Sequence, residues 1–108
     1  MILYSKIIRL GGYKMIKHIV MWKFKENEEE KMNEFLNGLR SLKGEITEII
    51  NMEVKVSINS SNKYDAVLIS TFKSLEDLEK YKNDPKHIAV SELCKSIREE
   101  RAAIDIEE

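Results

Sequence analysis

Apolar and polar residues alternate along four stretches of this chain and recur at helical spacing along three others, which reads as four strands and three helices. The first strand spans Ile16 to Lys25, with Ile16, His18, Val20, Trp22 and Phe24 on one face and Ile19 and Met21 among lysines on the other. Asn27 then suits a helix N-cap, Glu28 to Glu30 place negative charge in the first turn, and Met32, Phe35, Leu36, Leu39 and Leu42 follow at helical spacing. Gly38 inside that helix costs about 1 kcal/mol against alanine, so we expect it to permit close packing on a strand. Gly44 is expected to end the helix as a C′ residue.

From Ile50 the alternation is strict, with Ile50, Met52, Val54, Val56 and Ile58 against Asn51, Glu53, Lys55 and Ser57, as in a half-solvated strand. The turn Asn59-Ser60-Ser61-Asn62-Lys63 leads into Tyr64 to Phe72, a strand that carries apolar residues on both faces. Ser74-Leu75-Glu76-Asp77 resembles a capping box and opens a short helix with Leu75, Leu78 and Tyr81 on one side. Asp84 and Pro85 fit the N-cap and first position of a further helix, whose His87, Val90, Cys94 and Ile97 share a stripe beside Leu93. The turn therefore closes one helix at Tyr81 and opens the next with His87 in its first turn. Arg101 to Glu107 supplies the last strand, with Ala102, Ile104 and Ile106 alternating against Ala103, Asp105 and Glu107.

The order β-α-β-β-α-α-β predicts an α+β domain: a ferredoxin-like antiparallel sheet with helices on one face. In that topology the first and third strands are central, and they are the two that carry apolar residues on both faces. The helices cover one side, so the other apolar face calls for a second subunit, and a closed two-fold homodimer through the sheet face is expected.

At 108 residues the chain makes one domain, long enough to bury roughly two thirds of the surface of its unfolded form. Its 18 basic and 19 acidic residues nearly balance, leaving no overall field to draw nucleic acid or an anionic membrane. The third strand, YDAVLISTF, also lacks the exposed aromatic and glycine pattern with which related sheets stack on RNA. One cysteine, Cys94, makes no internal disulfide, and a reducing cytoplasm is expected. Cys94 sits on an inward stripe and reads as core, and two histidines without a close acidic or thiol partner predict no metal site.

Residues 1–14 form an N-terminal extension and residues 15–108 the domain. In the extension Lys6 and Arg9 interrupt the apolar residues, so no run approaches the roughly 20 that a membrane span requires. Gly11-Gly12 can be encoded by a ribosome-binding sequence, with Tyr13-Lys14 as spacer, which makes Met15 the expected natural start. An extra strand or a flexible arm is the alternative reading of this segment.

MIKHIVMWKFK, MEVKVSINSS, YDAVLISTFKSLEDLEKYKNDPKHIAV and RAAIDIE, in this order and spacing, resemble the stress-responsive dimeric α/β-barrel (Dabb) family from Met15 to about Glu107. The resemblance implies a homodimer in which two four-stranded sheets form a barrel, with a cleft in each subunit between sheet and helices. The family spans plant stress proteins without known activity, uncharacterised bacterial proteins, and a few plant polyketide cyclases that work without cofactor. In those cyclases the matching histidines and tyrosine line the cleft, and the corresponding residues here are His18, Tyr81 and His87. Trp22 lies on the face of His18, and Phe35 and Leu39 on the first helix are expected to line the apolar end, which suits a small or flat ligand.

Three classes of function follow. The first is binding of a small hydrophobic or carbonyl-containing molecule. The second is cofactor-free proton transfer of the cyclase or decarboxylase kind, in which neutral His87 takes a proton beside a carbonyl, Tyr81 donates to the developing enolate oxygen, and His18 orients them. The third is a structural, stress-stability dimer in which the three side chains satisfy one another and nearby backbone. No cofactor is expected. Haem, which related dimeric barrels hold through a helix histidine, has His87 as its candidate ligand, but the surrounding motif is not that of the haem-degrading group.

Overall fold

The computed structural model describes residues 14–108, so the extension expected over residues 1–14, with its alternatives as strand or arm, lies outside the described residues except for Lys14. The elements are β1 (Ile16–Phe24), α1 (Glu29–Glu45), β2 (Asn51–Val56), β3 (Ala66–Phe72), α2 (Leu75–Asn83), α3 (Pro85–Ile97) and β4 (Arg98–Glu107). They form one sheet in the order β2-β3-β1-β4 with every neighbouring pair antiparallel, the α+β ferredoxin-like arrangement. β1 and β3 are central, as their doubly apolar sequences demand.

The core lies between the sheet and the helices. Val20 and Trp22 of β1 and Leu68 and Phe72 of β3 meet Phe35, Leu36 and Leu39 of α1, Leu78 and Tyr81 of α2, and Cys94 and Ile97 of α3, all buried. Trp22 and Phe35 meet edge to face with ring centroids 5.1 Å apart, a contact that adds about 0.5–1.5 kcal/mol to the burial itself. The opposite face of the sheet carries Ile19, Met21, Val67, Ile69, Ala102, Ile104 and Ile106, and no described helix covers it.

Several local features depart from the sequence reading. Asn27 does not cap α1: it adopts a left-handed turn at φ 64°, a conformation asparagine tolerates, and Glu28 takes the cap position without a side-chain bond. Gly44 does not end α1, which runs on to Glu45 because buried Ile46 and Ile49 hold the chain against the core beyond it. Gly38 packs on a helix, not on a strand: a Cβ there would meet Val90 Cγ1 of α3 at 3.3 Å. β2 is shorter than its alternation, and Ile58 stands fully exposed in the loop beyond it. Leu75 is exposed, while Leu78 and Tyr81 on its helix are buried.

The largest difference is at β4, which starts at Arg98 directly after α3, three residues before the expected Arg101. Residues 98–101 read Arg-Glu-Glu-Arg, weak strand formers, and pairing along β1 overrides that preference. The register shifts at Lys23/Phe24: Phe24 faces Arg98 while Lys23 faces Glu100, so β4 carries one extra residue there.

Candidate functional site

Two caps build the α2–α3 corner. Ser74 Oγ accepts from Asp77 N at 3.1 Å to start α2, and Asp84 Oδ1 accepts from Lys86 N at 2.8 Å to start α3, with Pro85 in its first turn. This tight succession brings Tyr81, from the last turn of α2, against His87, from the first turn of α3, with ring centroids 4.4 Å apart. β1 brings His18 up from the sheet, edge-on to Tyr81 at 6.3 Å. Phe72 of β3 backs the tyrosine ring at 5.1 Å.

These residues line a cavity of about 270 Å³ between sheet and helices, just below the usual range for small-molecule sites. Its walls include all six residues singled out from the sequence: His18, Trp22, Phe35, Leu39, Tyr81 and His87. The thiol of Cys94 also lies on this wall, where burial raises its pKa and keeps it protonated.

Hydrogen bonding orients both imidazoles. His18 Nδ1 lies 2.6 Å from Asp105 Oδ1, and because a carboxylate accepts, the ring donates from Nδ1. His87 Nδ1 lies 3.1 Å from the Lys82 carbonyl and likewise donates, which leaves its Nε2 as an acceptor in the neutral ring. Burial lowers the pKa of both. At His18 it prevails over the opposing pull of Asp105, and at His87 over that of the Lys82 carbonyl, with the positive charge of Arg101 reinforcing the shift in each case.

Tyr81 is different. The residue is fully buried, and its hydroxyl has no hydrogen-bond partner among the described residues. Desolvation drives its pKa far above the ordinary 10, with only Arg101 acting against the shift. The phenol therefore stays protonated, a donor held out of water with nothing to donate to.

Sequence reasoning missed three contributors. Asp105, 87 residues from His18, reaches it because the β1–β4 register sets the two opposite each other. Arg98 and Arg101 line the cavity too. The alternation of β4 places Arg101 on the same side as Ala103 and Asp105, a signal present in the sequence, whereas Arg98 joins them through the register shift. Among the described residues no three His, Cys, Asp or Glu side chains gather where a metal ion could be held, and no helix is long and apolar enough to cross a membrane.

Comparison with known proteins sets the fold in context. The chain is 26% identical to a stress-response A/B barrel domain-containing protein, DABB1, of Arabidopsis thaliana, over 84% of this chain and 46% of that protein; it thus spans about half the length of this curated relative. Among solved structures, a dimeric protein of unknown function and ferredoxin-like fold from Bacteroides fragilis superposes with a TM-score of 0.82 at 29% identity, covering 87% of this chain and 96% of that one. A hydroxynitrile lyase from Passiflora edulis shares the fold with a TM-score of 0.79 at 13% identity, over 88% and 94% of the two chains. The family model of the stress responsive A/B barrel domain matches residues 16–108, nearly all of the chain described, and the protein belongs to that family.

Proposed function

We propose that this protein is a cytoplasmic homodimer whose cleft binds a small carbonyl-containing molecule, with the Tyr81 hydroxyl donating to the carbonyl oxygen. The unpartnered, fully buried Tyr81 hydroxyl carries this reading. In a purely structural dimer the three polar side chains would satisfy one another and nearby backbone groups, as His87 does with the Lys82 carbonyl. Here His18 and His87 have partners and Tyr81 has none among the described residues, so its donor is free for a molecule that enters. The aromatic walls suit a flat, largely apolar body. The free, buried Cys94 suits a reducing compartment. The uncovered apolar sheet face supports pairing of two copies, as does the dimeric relative from Bacteroides fragilis.

A second reading has its own support: proton transfer with His87 as base. Its ring is neutral at pH 7 and packs against that of Tyr81, its Nδ1 is tied to the Lys82 carbonyl, and its Nε2 is left as the acceptor. Passage of a proton from the α-carbon of a ketone to Nε2, with Tyr81 donating to the enolate oxygen, uses no cofactor. The hydroxynitrile lyase of the same fold illustrates a scaffold that carries catalysis, though fold alone assigns none.

Acetophenone tests both readings. Binding measured by calorimetry should saturate with the wild type and weaken about tenfold or more in Tyr81→Phe, as expected for loss of one buried hydrogen bond of about 1.4 kcal/mol or more. Absence of saturable binding of acetophenone and similar neutral aryl ketones would remove the cleft reading. Methyl hydrogen–deuterium exchange of bound acetophenone, followed by NMR, reports on proton transfer. Exchange no faster with wild type than with His87→Ala would leave binding without chemistry.

A further inference from the structure

The cavity is electrically lopsided. Lys95, Arg98 and Arg101 line it, and among the described residues no Asp or Glu does, in a chain whose net charge is −1. Lys95 is already engaged by Glu92 Oε1 at 3.0 Å, Asp105 is tied to His18, and Asp84, the acid whose charge reaches His87, caps α3 through Lys86 N. Arg101 has no ion pair among the described residues, and its charge reaches His18, Tyr81, His87 and Cys94.

The backbone places two guanidinium groups here. Arg98 and Arg101 are three residues apart on one strand, a spacing that in regular alternation sends their side chains to opposite faces. The extra residue at the Lys23/Phe24 register shift changes this: Arg98 faces Phe24 and Arg101 faces Trp22, both of which point to the helix side of the sheet. Bulges recur beside functional sites because they re-aim side chains in this way. A guanidinium is planar, permanently charged and matched to the two oxygens of a carboxylate. Among the described residues, the cavity thus has an unpartnered phenol and aromatic rings in its walls, and on its β4 side a pair of arginines with no acid in the lining beside them.

We infer that the ligand is an oxo-acid: an apolar, flat molecule whose carbonyl meets Tyr81 and whose carboxylate meets Arg98 and Arg101. This rests on the carbonyl-binding reading of the cleft and adds the anionic group. Two aryl oxo-acids of different reach, benzoylformate and 3-benzoylpropionate, and their neutral methyl esters test it by calorimetry on the full chain at pH 7.5. At least one acid should bind at least tenfold more tightly than its ester. Arg101→Gln and Arg98→Gln should each reduce that acid toward the affinity of its ester while leaving the ester unchanged, and the advantage should shrink between 0.05 and 0.5 M salt. Equal binding of acid and ester would overturn the carboxylate site and leave the carbonyl site standing. Loss of ester binding in the arginine variants would overturn it as well, by showing that the arginines shape the cavity. If none of the four molecules binds, both the oxo-acid and the carbonyl reading fall.

Discussion

Replacing Tyr81 with phenylalanine should make the ligand-free protein more stable, although it alters a fully buried side chain at the centre of the molecule. The substitution removes one oxygen and keeps the ring, so the contacts with Phe72 at 5.1 Å and His87 at 4.4 Å remain. The oxygen removed is buried and unpartnered. Burying a hydroxyl without a hydrogen bond costs about 1–3 kcal/mol by mutational measures, and its removal should recover about 1 kcal/mol of that. For a domain of this size the gain corresponds to about 4–8 °C in melting temperature. Urea unfolding of wild type and Tyr81→Phe at one fixed protomer concentration is the appropriate assay, because the stability of a dimer depends on concentration. The midpoint should rise with no change in slope. A variant less stable than wild type by 1 kcal/mol or more would refute the reasoning, since it would mean that the hydroxyl has a native partner and serves the fold. A gain in stability together with a loss of acetophenone affinity is the trade expected of a functional group kept buried without a partner.

The glycines of α1 give a paired prediction: Gly44→Ala meets nothing within 4 Å and should stabilise by about 0.5–1 kcal/mol, whereas at Gly38 a comparable helix gain is offset by crowding against Val90 at 3.3 Å, leaving Gly38→Ala near neutral in urea unfolding. Acid should destabilise the protein from neutral pH downwards. The folded-state pKa values of His18 and His87 lie below the ordinary 6.5, so the unfolded chain takes up protons first; stability held above pH 6.5 is lost as pH falls toward the depressed values, and His87→Gln should flatten the change in denaturation midpoint between pH 7 and pH 5. Ile104→Glu puts a carboxylate on the uncovered sheet face, at a residue 58% exposed in the protomer, and should yield monomer by sedimentation at micromolar concentration, while Ile58→Glu in the β2–β3 loop should remain dimeric.

The fold was legible because its determinants are local and repeat along the chain. Alternation along β1 and β3 announces central strands, helical spacing announces α1 to α3, and Ser74 and Asp84 cap α2 and α3 with the side chains their positions suggest. The same locality explains why Tyr81 and His87 could be paired in advance: only the short Asp84-Pro85 corner separates them, and its chemistry leaves little freedom. Where a boundary depends on what the chain packs against, local signals misled. Gly44 offered a helix stop that buried Ile46 overrode, and Gly38 found its neighbour on another helix.

The sequence by itself determined the two periods, their order, the helix corner and the residue types at the cavity wall. Tertiary structure alone decided who meets whom across the sheet: Asp105 with His18, 87 residues apart, and Arg98 brought to the side of Arg101 by one extra residue in β4. Strand register is a property of pairing between distant segments, and a shift of one residue turns every following side chain to the other face. Whether a buried hydroxyl finds a partner is likewise settled by every element packed around it. That is why the types at Tyr81, His18 and His87 could be read from the chain, while the unmet donor and the two arginines could not.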